Sequence, residues 1–153
     1  MEIFLNLIVR PAIEDDCKLI FEWANEPEVR NASFHSKKIE WSEHKNWFSE
    51  KLQNPDSIIY IFEVDGEAAG QIRFDKNGEF FEIDYSIDKK YRGNGFGNAI
   101  VRLGITNLKS QFKESIRVVA RVKEGNLISA KVFQNIGFKE TKLGNGDLQF
   151  VYE

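Results

Sequence analysis

Cysteine is nearly absent: Cys17 is the only one among 153 residues, so no disulfide can close within the chain and a thiolate metal cluster lacks its ligands. That usage fits a reducing compartment. Surplus positive charge is missing too. Lys plus Arg number 21 against 24 Asp plus Glu, net −3, which removes any global pull toward nucleic acid or anionic membrane. No stretch approaches the roughly 18 apolar residues of a membrane-crossing helix. The opening MEIFLNLIVRP is apolar only briefly and carries Glu2 and Arg10, unlike the basic-then-apolar layout of a signal peptide. Repeats, low-complexity tracts and linkers are also lacking, so a single cytoplasmic domain covering 1–153 is expected. What is present, 42% hydrophobic and 29% charged residues, suits a soluble domain burying about two thirds of its unfolded surface.

The hydrophobic period switches along the chain. LNLIVRPA reads as a strand ended by Pro11, and Ile13, Cys17, Ile20, Phe21 and Ala24 then fall near one helical face. A loop with Arg30, Phe34 and His35 leads to a helix with Ser42 as its expected N-cap. From Ser57 to Asp88 three strands alternate with turns expected at Asp65-Gly66 and Asn77-Gly78, an antiparallel meander. A helix near 97–110, a strand IRVVARV, a helix near 126–136 and a strand near LQFVYE follow. The expected fold is α/β (α+β): a central mixed, mostly antiparallel sheet with helices on both faces.

Between the meander and the next helix lies Arg92-Gly93-Asn94-Gly95-Phe96-Gly97-Asn98. Glycines here remove the Cβ atoms that would keep a ligand from the backbone, and they let N–H groups converge where a helix begins. Such a corner suits a phosphate. It is not a P-loop, since Asn98-Ala99 supplies neither the lysine nor the hydroxyl. A dinucleotide fold would place its glycines after the first strand of a parallel unit, not after a meander.

The stretch from Arg92 to Gly97 matches the Q/R-x-x-G-x-G/A signature of the GNAT superfamily of acyl-CoA-dependent N-acyltransferases. Thirty residues on, Asn126, the small Ser129 and a helix ending in Gly137-Phe138 resemble that superfamily's second landmark. The resemblance implies acetyl-CoA as co-substrate and no metal. Backbone amides of Arg92 to Asn98 would cradle its pyrophosphate, with the Arg92 side chain adding charge. Ile87 would meet the pantetheine arm and polarise the thioester, while Asn126, Ser129 and Phe133 would flank the arm. Asn126 also reads as an N-cap. A protonated amine has no lone pair, so a base must take a proton. Glu82 and Asp84 share one sheet face, and Glu82 is the preferred base with Asp84 second. Many relatives carry a tyrosine seven residues after the motif's Asn, where this chain has Phe133. The proton for the leaving thiolate is left to Tyr85, Ser86, Ser129 or water.

Trp23, Asn25, Pro27 and Arg30, then Ser33-Phe34, then His44 and Trp47 resemble a GNAT branch of bacterial nonulosonic acid pathways, which acetylates UDP-linked amino-deoxy sugars, as in pseudaminic acid biosynthesis. The resemblance implies a small-molecule amine as partner, a sugar nucleotide, bound by Trp23, Asn25, Arg30, His44 and Trp47. Neither nucleic acid nor a membrane is expected as a partner, and the chain is expected to be a monomer or homodimer. Two alternatives stay open: a protein N-terminal acetyltransferase of the ribosomal-protein type, and a non-catalytic acyl-CoA-binding regulator.

Overall fold

The computed structural model describes residues 4–112 and 115–153, so Glu2 of the opening segment lies outside it. Seven strands form one sheet: β1 Leu7–Pro11, β2 Ser57–Val64, β3 Glu67–Asn77, β4 Phe80–Ile87, β5 Val118–Val122, β6 Lys139–Lys142 and β7 Leu148–Tyr152. Their order is β1-β2-β3-β4-β5-β7-β6. Every neighbouring pair is antiparallel except β4 and β5. The helices are α1 Cys17–Ala24, α2 Pro27–Ala32, α3 Trp41–Gln53, α4 Phe96–Gln111 and α5 Leu127–Ile136. This is the expected mixed, mostly antiparallel sheet with helices on both faces.

Residue alternation assigns the layers. On β2, Ile58, Tyr60 and Phe62 point toward α4 and α5, joining a core with Phe74, Leu108, Val118 and Phe150. Ile59 and Ile61 point the other way, against Ile20 and Trp23 of α1 and Phe48 of α3. A strand buried on both faces needs the unbroken apolar run that β2 has. Each such fully buried Phe or Ile contributes about 1.5–3 kcal/mol relative to exposure. Cover by α1 and α3 fades past β3, so Glu82 and Asp84 of β4 and Arg121 of β5 stay exposed on that face.

Local chemistry explains where the elements differ from the sequence reading. The loop expected around Arg30 contains α2, because Pro27 stands at its start and the Glu26 carboxylate accepts from Val29 N–H at 3.3 Å. Glu40, not Ser42, is the N-cap of α3, and Ser42 lies inside the helix. Asp65 and Gly66 both take positive φ, 50° and 83°, in a turn matched to the strand twist. The second turn is displaced by one residue: Asn77 pairs with Phe80, leaving Gly78-Glu79 as the loop. β6 had no signal of its own, since KETK is polar and exposed throughout.

Candidate active site

The sheet opens at its one parallel seam. β4 and β5 are in register only at Phe81↔Val118 and Glu82↔Val119, although β4 continues to Ile87 and β5 to Val122. Asp88 N–H donates to the Ala69 carbonyl at 2.7 Å, so the rungs Gly70↔Ile87 and Ile72↔Tyr85 are the non-bonded kind. The backbone groups of Tyr85 and Ile87 therefore point away from β3 and into the gap. Phe81, in the same phase, still reaches β5 through its N–H to the Arg117 carbonyl at 2.8 Å. The Ile87 carbonyl accepts from Arg92 Nε at 3.0 Å. The Ile87 N–H faces the wedge with no β5 residue opposite.

At the end of β4 the chain turns through Gly93 and Gly95, with φ of 81° and 77°, into the N-terminus of the 16-residue α4. A Cβ at either glycine would meet nothing within 4 Å, so the concavity is open. Amides at this positive helix end are suited to a pyrophosphate. Asn98 Oδ1 is buried beside them without a hydrogen-bond partner among the described residues, an acceptor that a ligand N–H or hydroxyl can satisfy. These features fit the nucleotide end of acetyl-CoA. The Phe96 ring turns inward, 5.8 Å from Phe62, and the Asn94 amide folds back onto the Tyr91 carbonyl at 3.1 Å.

The Arg92 side chain does not face this concavity as the sequence reading expected. Its guanidinium pairs with Glu26 and Glu28 of the α2 region, each at 2.8 Å. The Arg92 bond holds the Glu26 carboxyl below the usual carboxylate range against the upward push of burial. Beyond β5, Lys123 Nζ donates to the Asn31 carbonyl at 3.1 Å. Thus α2 is tied to both sides of the gap and spans its mouth.

On the α5 side, Asn126 Oδ1 accepts from Ser129 N–H at 3.3 Å, the N-cap role foreseen for it. Ser129 Oγ lies 3.3 Å from Tyr85 Oη. Burial pushes the Tyr85 hydroxyl's pKa up, with the Ser129 contact pulling the other way. Phe133, 3% exposed, is a core residue packed on Phe138 at 5.0 Å and Phe150 at 5.6 Å. It reaches the wedge only through its edge-on contact with Tyr85 at 5.9 Å.

The opposite face carries a polar row. Gln71 Nε2 donates to Asp84 Oδ2 at 3.1 Å and to Ser86 Oγ at 3.2 Å. Arg73 lies 3.9 Å from Asp84 and places its guanidinium 5.0 Å over the Trp47 ring. Glu82 lines an open cleft of about 420 Å³ with Arg117, Arg121 and Gln149. Arg117 pairs with Glu153 at 2.8 Å, whereas Arg121 is exposed and makes no ion pair among the described residues. Gln71, Arg73, Arg117 and Arg121 escaped the sequence reading. On β3 the signal was a polar residue at every second position, Gln71, Arg73 and Asp75, whereas on β5 Val119 interrupts the alternation between Arg117 and Arg121.

The N-terminal candidates are mostly turned inward. Trp23, 6% exposed, donates its indole N–H to Asp88 at 2.6 Å. Asn25 clasps both backbone groups of Ile39, at 2.9 and 2.7 Å. Arg30 donates to the carbonyls of Ala24 and His35 at 2.5 and 2.8 Å and to Ser33 Oγ at 3.2 Å. His44, 3% exposed, donates from Nε2 to the Cys17 carbonyl at 2.9 Å. These four hold loops and helices together, and Trp47 alone of the five adjoins the polar row.

The family model "Acetyltransferase (GNAT) domain" matches residues 6–139. An uncharacterised protein of Methanocaldococcus jannaschii is 27% identical over 152 residues, which is 97% of this chain and 31% of that protein. The chain therefore spans about a third of the relative's length. A solved domain from the same organism superposes with a TM-score of 0.82 at 23% identity, covering 97% of this chain and 99% of that one. Spermidine N-acetyltransferase from Vibrio cholerae, solved with CoA and spermine, gives 0.84 at 14% identity, covering 95% and 94%. The family match, over most of the chain, makes this chain a member of the GNAT acetyltransferase-domain family.

Proposed function

We propose that this domain transfers acetyl from acetyl-CoA to the amino group of a UDP-linked amino-deoxy sugar, with Glu82 as the base. The observation that carries the reading is the wedge, which joins an open concavity on the α4 side to an uncovered, charged sheet face on the other. A donor held at Gly93 to Asn98 can pass its acyl end through the gap, where the Ile87 N–H polarises the carbonyl and holds charge building on its oxygen. The acceptor then approaches from the face bearing Glu82, Asp84 and Ser86. Glu82 is preferred because its carboxylate has no hydrogen-bond or ion-pair partner among the described residues, while Asp84 is engaged by Gln71 and Arg73. A sugar nucleotide also needs cations for its diphosphate and an aromatic platform for base or sugar. Arg121, Arg117 and Trp47 supply these on the same face, taking the part the sequence reading had given to Arg30.

The test is thiol release from acetyl-CoA with a panel of amine acceptors: amino-sugar nucleotides, the free amino sugars, spermine and an N-terminal peptide. Turnover is expected with the nucleotide-linked sugars, at a lower KM than for the free sugars. Preference for spermine or for the peptide overturns the acceptor assignment. Tight acetyl-CoA binding with no acceptor consumed overturns catalysis.

A further inference from the structure

Resting on the acetyl-CoA reading, we infer that Tyr85 is the proton donor to the departing CoA sulfur, with Ser129 connecting its hydroxyl to the solvent side of α5. Three elements of the donor site converge on this one oxygen. Tyr85 belongs to the part of β4 that faces the gap, and its Oη lies 3.3 Å from Ser129 Oγ near the start of α5. The third is α4: a Cβ built at Gly97 would sit 3.7 Å from Oη and 3.1 Å from Val132 Cγ2. The Tyr85 hydroxyl thus lies in contact range of the helix end that follows the glycine turn, and it is Val132 that keeps residue 97 small.

The other side chains suit the role less. Ser86 is one residue along the strand and so projects to the opposite face, where its oxygen accepts from Gln71. Phe133 has no proton to give. A serine hydroxyl, far less acidic than a phenol, suits Ser129 to relaying and not to initiating the transfer. Chemically, the amine nitrogen bonds to the carbonyl carbon, the C–S bond breaks with its electron pair going to sulfur, and the Tyr85 O–H proton moves to that sulfur. The phenolate regains a proton from water through Ser129, and the proton lost by the amine leaves through the base on the other face. The two proton transfers thus occur on opposite sides of the sheet.

Tyr85→Phe removes one oxygen and keeps the ring against Phe133. Two readouts test it: kcat with a saturating amine, and the ionisation of bound CoA, followed by ultraviolet thiolate absorbance against pH. Losing a hydrogen bond to the thiolate should raise the bound thiol's pKa by about one unit and lower kcat by about a hundredfold. The Kd for CoA should stay within about threefold, well under 1.4 kcal/mol. An unchanged thiol pKa and kcat in a variant that still binds CoA overturns the inference. Failure of the wild-type domain to bind CoA overturns the acetyl-CoA reading instead. Should Tyr85→Phe not fold, 3-fluorotyrosine placed at residue 85 keeps ring and hydroxyl but makes the phenol more acidic. The alkaline limb of kcat must then move to lower pH, and an unmoved limb overturns the assignment.

Discussion

The N-terminal third and the β4–β5 seam are both rich in polar and aromatic residues, yet they use them in opposite ways. Around α1, α2 and α3 the polar atoms are satisfied within the protein: Arg30 by backbone carbonyls and Ser33, Asn25 by Ile39, His44 by Cys17 and Trp23 by Asp88. At the seam, hydrogen-bonding capacity is left over. Among the described residues the Ile87 N–H faces a gap, Asn98 Oδ1 is buried without a partner, and Arg121 and Glu82 line a cleft with no ion pair. Buried polar groups are normally bonded, so a group left unsatisfied there marks where a ligand completes the structure. A residue suited to binding by type is a binder only if the fold leaves its atoms free.

The sharpest way to break this contrast is to act on the seam. Glu82→Gln should lower kcat/KM by about a hundredfold or more, the usual worth of a general base. The deficit should be greatest at low pH, where the amine is hardest to deprotonate, and a wild-type pH profile would return the role to Asp84 or to water. Next in size is Gly95→Val. The site needs φ near 77°, which strains an L-residue by about 1–2 kcal/mol or more. Reshaping the cradle on top of that should weaken CoA at least tenfold by calorimetry, each factor of ten being about 1.4 kcal/mol. Unchanged affinity would remove the phosphate from this corner.

Much of the seam was legible before any coordinates. The switch from period two to helical period, with glycines at the junction, placed the glycine turn between β4 and α4 within a residue or two. Glu82 and Asp84 were put on one face by alternation alone. Less legible was everything decided by what a side chain meets far along the chain. Arg92 sits in the glycine motif, but its partners Glu26 and Glu28 are more than sixty residues away, and only the packed fold shows the charge drawn toward α2. Arg30 reads as a phosphate ligand until the 33–38 loop folds around it. The polar row of Gln71 and Arg73 was hidden because two neighbouring strands must be aligned before it exists.

Arg30→Ala probes that hidden part with a smaller effect. Removing a charged donor shared among several carbonyls should cost about 2 kcal/mol and lower the melting temperature by about 4–8 °C in a chain of this size. The KM for acetyl-CoA and for the acceptor should change together, to the extent that α2 loosens across the gap. A selective rise in the acceptor's KM, with stability intact, would restore Arg30 to the binding surface and erase the contrast between the two regions.

His44 gives the smallest and most specific effect. Burial lowers its pKa below the ordinary value near 6.5, with the hydrogen bond to the Cys17 carbonyl opposing. In the folded chain the imidazole stays neutral at a pH where the unfolded chain already binds a proton. Stability should therefore be fully present above about pH 6.5 and decline as pH falls from there toward the folded value, since the unfolded state then holds more protons. His44→Phe keeps an aromatic ring where the imidazole stacks on Phe48 at 6.0 Å but removes the titration. Between pH 7.5 and 5.5, the wild-type melting temperature should drop by about 2 °C more than the variant's. Equal drops would mean that His44 is protonated in place, and that the N-terminal third keeps a polar group free after all.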